Sequence, residues 1–242
     1  MPSGIVGLCE DQELTDKPVS SLIGALAYIA NSTRPDISAS VNIIAQFTHR
    51  PTKKLWVYAC QILRYLVNTS SVGLMLGVQA TEDLVAYSDS DFASDKITRK
   101  SQTGYVLQLF GSAVVWGSKK QAVVAQSTAE AEYVALAKTV SEVRGLQQLL
   151  EEIGEKVRLP VKVYEDNQPT IFMCKENSCR VKHIDIRFHF IRDLTLRKLI
   201  EPIYVSTKEQ VADVLTKACP QSKFEDIRNS LNLRNCKNEG KC

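Results

Sequence analysis

The sequence has no apolar run long enough to cross a membrane. Its greasiest stretch, Leu22 to Ala30, falls well short of the ~20 residues a helical span requires. The opening MPSGIVGLCEDQELTDK has no basic head and turns acidic at once, which makes it a poor secretory signal. The seven cysteines are odd in number and irregular in spacing, so no disulfide framework is expected and reduced thiols fit a cytosolic or nuclear setting. A strong excess of either sign of charge is also lacking. A net charge of +3 permits a polyanionic partner without demanding one, so any such case must rest on where the charges sit. The helical stretch from Pro18 to about Leu76 contains no carboxylate cluster, no Gly-rich phosphate loop and no metal-ligand spacing. The first methionine precedes a segment that reads as mid-domain, from which a fragment of a longer protein is expected.

What remains is an ordinary globular composition, 44% apolar and 24% charged over 242 residues, enough for one large or two small domains. Residues 1–17 lack a period. From Pro18 to about Leu76 the spacing is helical, first through Leu22, Ile23, Leu26 and Ile29. Pro35 suits the first turn of a second helix through Ile37, Val41 and Ile44. Thr52 is a fair N-cap for a third, through Trp56, Ala59, Leu63 and Leu66, and Gly73 opens a short strand to Met75. A helical packing subdomain over 1–80 is predicted, with Trp56 a core anchor.

Past Thr81 the period changes. Leu84–Ser88 reads as a buried strand, and Tyr105–Leu109 with Ala113–Trp116 as a hairpin in which Trp116 is another anchor. A long helix follows from Ser127 to about Leu150, with Ser141 a candidate break. Val161–Tyr164 reads as a strand, Asn167–Lys175 and Lys182–Leu199 as helices, Ile203–Val205 as a strand and Glu209–Lys217 as a last helix. Three strands followed by alternating strands and helices imply an α/β fold with a mixed sheet flanked by helices over 81–219. Residues 220–242 read as a charged, mobile tail.

Apolar strands that stop on acid are unusual, because an ionised carboxylate held away from water needs a metal ion or a cationic partner. The run VAYSDSD offers Asp89 and Asp91, which share a face, so the pattern does not choose between them. In STAEAEY, Ser127 and Glu130 form a capping box. Glu132 lies about 200° further round at ~3.6 residues per turn, on a core-facing stripe with Leu136 and Val140. Asp166 follows the strand VKVYE, whose Glu165 is expected to point the other way, and Asp213 opens the final helix. Oxygen donors of this kind suit Mg²⁺ or Mn²⁺ rather than zinc. Cys174, Cys179, His183 and His189 match no familiar zinc module, since the two histidines sit about 120° off a shared helical face.

The stretches YSDSDFASD, RKSQTGYVLQLFGSAVVWGSKKQAVVAQSTAEAEYVAL, YEDNQPTI, KHIDIRFHFIRD and EQVADVLTK closely resemble the RNase H domain of Copia-type LTR retrotransposon Pol polyproteins, over about 83–233. Upstream, PVSSLIGALAYIANSTRPDIS and QILRYLVNTSSVGLML resemble the segment that joins reverse transcriptase to RNase H in the same polyproteins. The resemblance implies a ribonuclease H-like five-stranded mixed sheet with helices on both sides. It carries the catalytic and metal-holding acids onto Asp89, Glu132, Asp166 and Asp213, and so favours Asp89 over Asp91. Pro169, Leu55 and Gln126 depart from the family pattern without touching those acids. No paired-aspartate polymerase motif is present, so DNA synthesis by this chain is not expected.

The implied activity is hydrolysis of the RNA strand of an RNA–DNA hybrid by two divalent ions, Mg²⁺ or Mn²⁺. Asp89 would bridge the ions, Asp213 would help hold one and Glu132 with Asp166 the other. Arg99, Lys100, Lys119, Lys120, Lys182 and His183 are candidates for holding phosphates. The reverse-transcriptase portion of the same polyprotein is an implied partner, and a cytoplasmic virus-like particle or the nucleus the implied location. The rival readings are a host-retained remnant that binds nucleic acid without turnover and an integrase-like strand transferase.

Overall fold

The computed structural model describes residues 13–77, 81–175 and 185–236. Three helices open it: α1 (Val19–Ser32), α2 (Ser38–Ala45) and α3 (Lys53–Asn68). The break between the first two is a 3-10 turn, Pro35–Ile37, with the proline at its start as its missing N–H predicts. Thr52 does cap α3, its hydroxyl accepting from Leu55 N at 3.2 Å. Val19, Ile23, Leu26, Val41, Ile44, Leu55 and Ala59 close into a core of their own. Arg34 and Asp36 are buried beside it in a bidentate pair at 2.9 and 2.8 Å. The Tyr65 hydroxyl donates to Asp36 at 2.6 Å, and Thr69 accepts two further bonds from the guanidinium.

The sheet is built from β2 (Leu84–Asp91), β3 (Gln102–Leu109), β4 (Ser112–Lys120), β5 (Val161–Glu165) and β6 (Ile200–Tyr204), in the order β4-β3-β2-β5-β6. The first three strands are antiparallel; β5 and β6 run parallel to β2. One face carries α4 (Thr128–Glu152) and α6 (Asp185–Leu196), with α5 (Gln168–Lys175) alongside. Leu84, Ala86, Leu107, Val161 and Val163 pack there on Tyr133, Leu136, Val140, Phe188 and Ile191. The other face carries a second 3-10 turn, Val211–Leu215, and α7 (Gln221–Ser230). This α/β five-stranded mixed sheet flanked by helices is the ribonuclease H-like fold that the resemblance implies. No helix among the described residues is long and apolar enough to cross a membrane.

Several expectations need correcting. α4 runs unbroken through Ser141, because Val140 and Val143 on either side of it are fully buried and hold the helix to the sheet. The strand expected at Ile203–Val205 starts earlier, at Ile200. The stretch expected as a final helix is a 3-10 turn, so Asp213 sits in its middle rather than at a helix start. Residues 220–236 are not loose: α7 buries Ile227, and β7 (Leu233–Asn235) pairs antiparallel with β1 (Val72–Leu74). Trp116 is a bridge more than an anchor, since its indole N–H donates to the Ala30 carbonyl at 2.8 Å and ties β4 to α1.

Candidate metal centre

β2 and β5 are parallel neighbours, paired Tyr87 with Tyr164. Counting two residues on from each places Asp89 beside Asp166, at the carboxyl ends of adjacent parallel strands. That crevice is where open α/β sheets present their chemistry. The 3-10 turn brings Asp213 in from one face and α4 brings Glu132 in from the other. Gly104, the β3 partner of Asp89, makes the turn's close approach possible. A Cβ there would lie 2.6 Å from Thr216 Cγ2 and 2.8 Å from Leu215 Cβ. Gln210 fastens the turn from its other end, donating to the Ser88 carbonyl at 2.8 Å.

The carboxylates form two overlapping groups. Asp89, Asp166 and Asp213 each offer an oxygen within 4.8 Å of the others, and so do Glu132, Glu165 and Asp166. The four expected acids are therefore brought together, with Asp166 shared. Asp91 belongs to neither group and is half-buried. Thr216 donates its hydroxyl to Asp89 and Thr207 donates to Asp166 at 2.9 Å.

Glu165 was expected to face away and does not. It is the third in the buried row Val161, Val163, Glu165 that points to the α4 side. Asp166 lies beyond the strand's last residue, where the chain bends and alternation no longer governs direction. Burial first, then Glu132, pushes the Glu165 carboxyl well above the carboxylate range. Burial first, then Asp89 and Asp166, pushes Glu132 up to about 9. Asp89 is raised to about 7, chiefly by burial, with Lys217 opposing and Asp213 adding.

Two lysines that the sequence reading passed over also belong to the site. Lys217 Nζ lies 2.9 Å from Asp213 Oδ1 and 3.6 Å from Asp89 Oδ2, and Lys223 pairs with the other Asp213 oxygen. Burial works to lower the Lys217 ammonium, but Asp89 and Asp213 outweigh it and raise it. The one signal that could have found Lys217 is its position four residues after Asp213.

The donor set is all carboxylate, and Glu132 Oε2 and Glu165 Oε2 are buried without a hydrogen-bond partner. Hard divalent cations fit such a set. Of the four residues of the zinc alternative, two are among the described residues and form no metal-binding group there. Cys174 is buried and donates to the Thr170 carbonyl at 3.2 Å, whereas His189 is on the exposed side of α6. Cys179 and His183 lie outside the described residues, as does Lys182.

Of the expected phosphate-holding residues, Arg99 and Lys119 are exposed and Lys100 half-exposed. Lys120 is committed to Asp95. Burial works against ionising Asp95, but Lys120 and the Thr98 and Ile97 amides hold its carboxyl below the usual range. Lys120 thus braces the 92–101 loop instead of facing a ligand. The register places Lys119 two strands across from Ser90, about 10 Å away at ~4.8 Å per strand.

No family model matches the chain. It is 37% identical over 235 residues, 96% of its length, to the retrovirus-related Pol polyprotein from transposon RE1 of Arabidopsis thaliana. To that from transposon TNT 1-94 of Nicotiana tabacum it is 39% identical over 89% of its length. A solved structure of LC11-RNase H1, isolated from compost, aligns with a TM-score of 0.42 and 15% identity, covering 56% of this chain and 94% of that one. The chain spans 16% of the length of each of the two transposon proteins. By that extended identity, the chain belongs to the retrovirus-related Pol polyproteins of transposons.

Proposed function

We propose that this chain is an RNase H-type endonuclease that hydrolyses the RNA strand of RNA–DNA hybrids, as one part of retrotransposon reverse transcription. The observation that carries the reading is the meeting of Asp89, Glu132, Asp166 and Asp213 at the ends of two parallel strands. Residues 81–219 are the nuclease portion in this reading, and 1–80 are the helical segment that follows the polymerase.

Asp89, Asp166 and Asp213 would hold one Mg²⁺ or Mn²⁺ and Glu132 with Asp166 a second, supplying an activated water and charge stabilisation at the scissile phosphate. The remaining roles fall to the chain's own groups. Thr216 and Thr207 fix the rotamers of Asp89 and Asp166 by donating to them. The fixed backbone of β2 and the Gln210 tether keep Asp213 at its distance from Asp89. Lys217 balances the acids' charge and lies where an RNA phosphate could take its ammonium. Arg99, Lys100 and Lys119 extend positive charge away from the site along the substrate's backbone. Preference for RNA would come from 2′-hydroxyl contacts across a wide, shallow minor groove.

The test is cleavage of a labelled RNA–DNA hybrid with Mg²⁺ and with EDTA. Asp89→Asn is expected to abolish cleavage and leave hybrid binding nearly intact. Wild-type activity in that variant would sink the assignment, and hybrid binding without cleavage by the wild type would favour a remnant that keeps the fold without turnover.

A further inference from the structure

The resemblance assigns Glu132 and Asp166, with the bridging Asp89, to the second cation position, and the structure groups a further acid with Glu132 and Asp166 there. Glu165 is fully buried, and its Oε1 accepts from the Asn167 amide at 3.2 Å. Its Oε2 has no partner and lies in the group with Glu132 and Asp166. Glu132 Oε2 is buried and unpartnered in the same place. The two carboxylate groups differ in one respect. Lys217 and Lys223 are ion-paired within the Asp89–Asp166–Asp213 group. Among the described residues no lysine or arginine pairs with Glu132, Glu165 or Asp166. Two buried acids and a half-buried one that converge without an ion pair to any described lysine or arginine are costly unless a cation arrives from outside.

We propose that Glu132, Glu165 and Asp166 together bind a divalent cation, with Glu165 a ligand beyond the acids that the resemblance supplies. This deepens the proposed metal centre and rests on it. A hard, oxygen-preferring ion such as Mn²⁺ or Mg²⁺ is the class such a site takes. With Glu165 added to the acids that the resemblance supplies, the position retains an ion before any nucleic acid brings its phosphate oxygens.

The alternative role for Glu165 is a neutral carboxyl that donates a hydrogen bond to Glu132. Glutamine separates the two, because it keeps a donor and the shape but removes the charge. The experiment is a calorimetric titration of the full chain with Mn²⁺ alone, without nucleic acid, on wild type, Glu165→Gln, Glu165→Asp and Asp213→Asn. The proposal expects Glu165→Gln to weaken or lose one Mn²⁺ site by at least about tenfold. Glu165→Asp, which retains the charge with a shorter reach, should weaken the same site to a smaller extent. Asp213→Asn should leave it in place.

Mn²⁺ binding by Glu165→Gln equal to wild type overturns the ligand role. If Glu165→Gln fails to fold, unchanged binding by Glu165→Asp overturns it as well. Wild type that binds no Mn²⁺ yet cleaves hybrid when nucleic acid is present overturns this inference alone. Wild type that neither binds Mn²⁺ nor cleaves overturns the metal centre as a whole.

Discussion

Arg34 and Asp36 in the helical region are buried as deeply as Glu132 at the strand ends, yet the two places handle charge differently. Around Asp36 the account closes: the guanidinium, the Tyr65 hydroxyl and Thr69 answer one another within hydrogen-bonding distance. At the strand ends Asp89, Glu132, Glu165, Asp166 and Asp213 crowd together with Lys217 and Lys223, and neither lysine pairs with a glutamate. Balanced burial is a structural device that the chain completes alone. A surplus of one sign marks a position kept for something the chain does not carry.

The largest effect should come from unbalancing the balanced region. Asp36→Ala leaves a buried guanidinium without its partner and is expected to cost about 3–5 kcal/mol, read as a lower urea midpoint at unchanged slope. Glu132→Gln, measured the same way without metal, should leave stability unchanged or raise it, because it replaces a carboxyl that burial and its acidic neighbours keep from ionising and that has an oxygen without a partner. Equal losses in the two variants would erase the distinction drawn here.

A second test uses pH. Asp89 is raised to about 7 and Glu132 to about 9, whereas unfolded carboxylates titrate near ~4. The folded state therefore holds protons that the unfolded state has released. Their contribution to stability is complete below about pH 4 and is lost as pH climbs through 7 towards 9. Metal-free protein should accordingly melt at lower temperature at pH 9 than at pH 6. Mn²⁺ should narrow that gap and release protons on binding, since it takes the ionised carboxylates. A metal-free melting temperature that rises over this range would count against the surplus.

The smallest effect concerns the partial balance that the lysines supply. Lys217 is about one-third exposed, so its pairing is screened and is worth about 1 kcal/mol at most. Lys217→Met should tighten Mn²⁺ binding by a factor of about two to five, because an internal competitor for Asp89 and Asp213 is gone. Weaker binding would mean that the ammonium supports the ion instead of competing with it.

Much of this was legible in the sequence, and what was not has physical causes. The helical spacing through Leu22, Leu26 and Ile29, the Thr52 cap and the core stripe of Glu132, Leu136 and Val140 are local periodic signals, and the fold obeys them. Glu165 was misread because alternation was carried one residue past the end of β5. Lys223 pairs with Asp213 from a different element, and pairing of that kind leaves no period to read. The stretch after residue 220 looked like a solvated tail because Ile227, Leu231 and Leu233 are thinly spread among polar neighbours. Those three join Val211, Val214 and Leu215 in covering one face of the sheet.

The crowded contact at Gly104 bears on how copies of such a gene lose their function. One added methyl on β3 would wedge the Val211–Leu215 turn outward and draw Asp213 away from Asp89, though every acid would still stand in the sequence. A chain can thus be disarmed at a residue with no chemistry of its own, and a search for intact acids alone would pass it as sound.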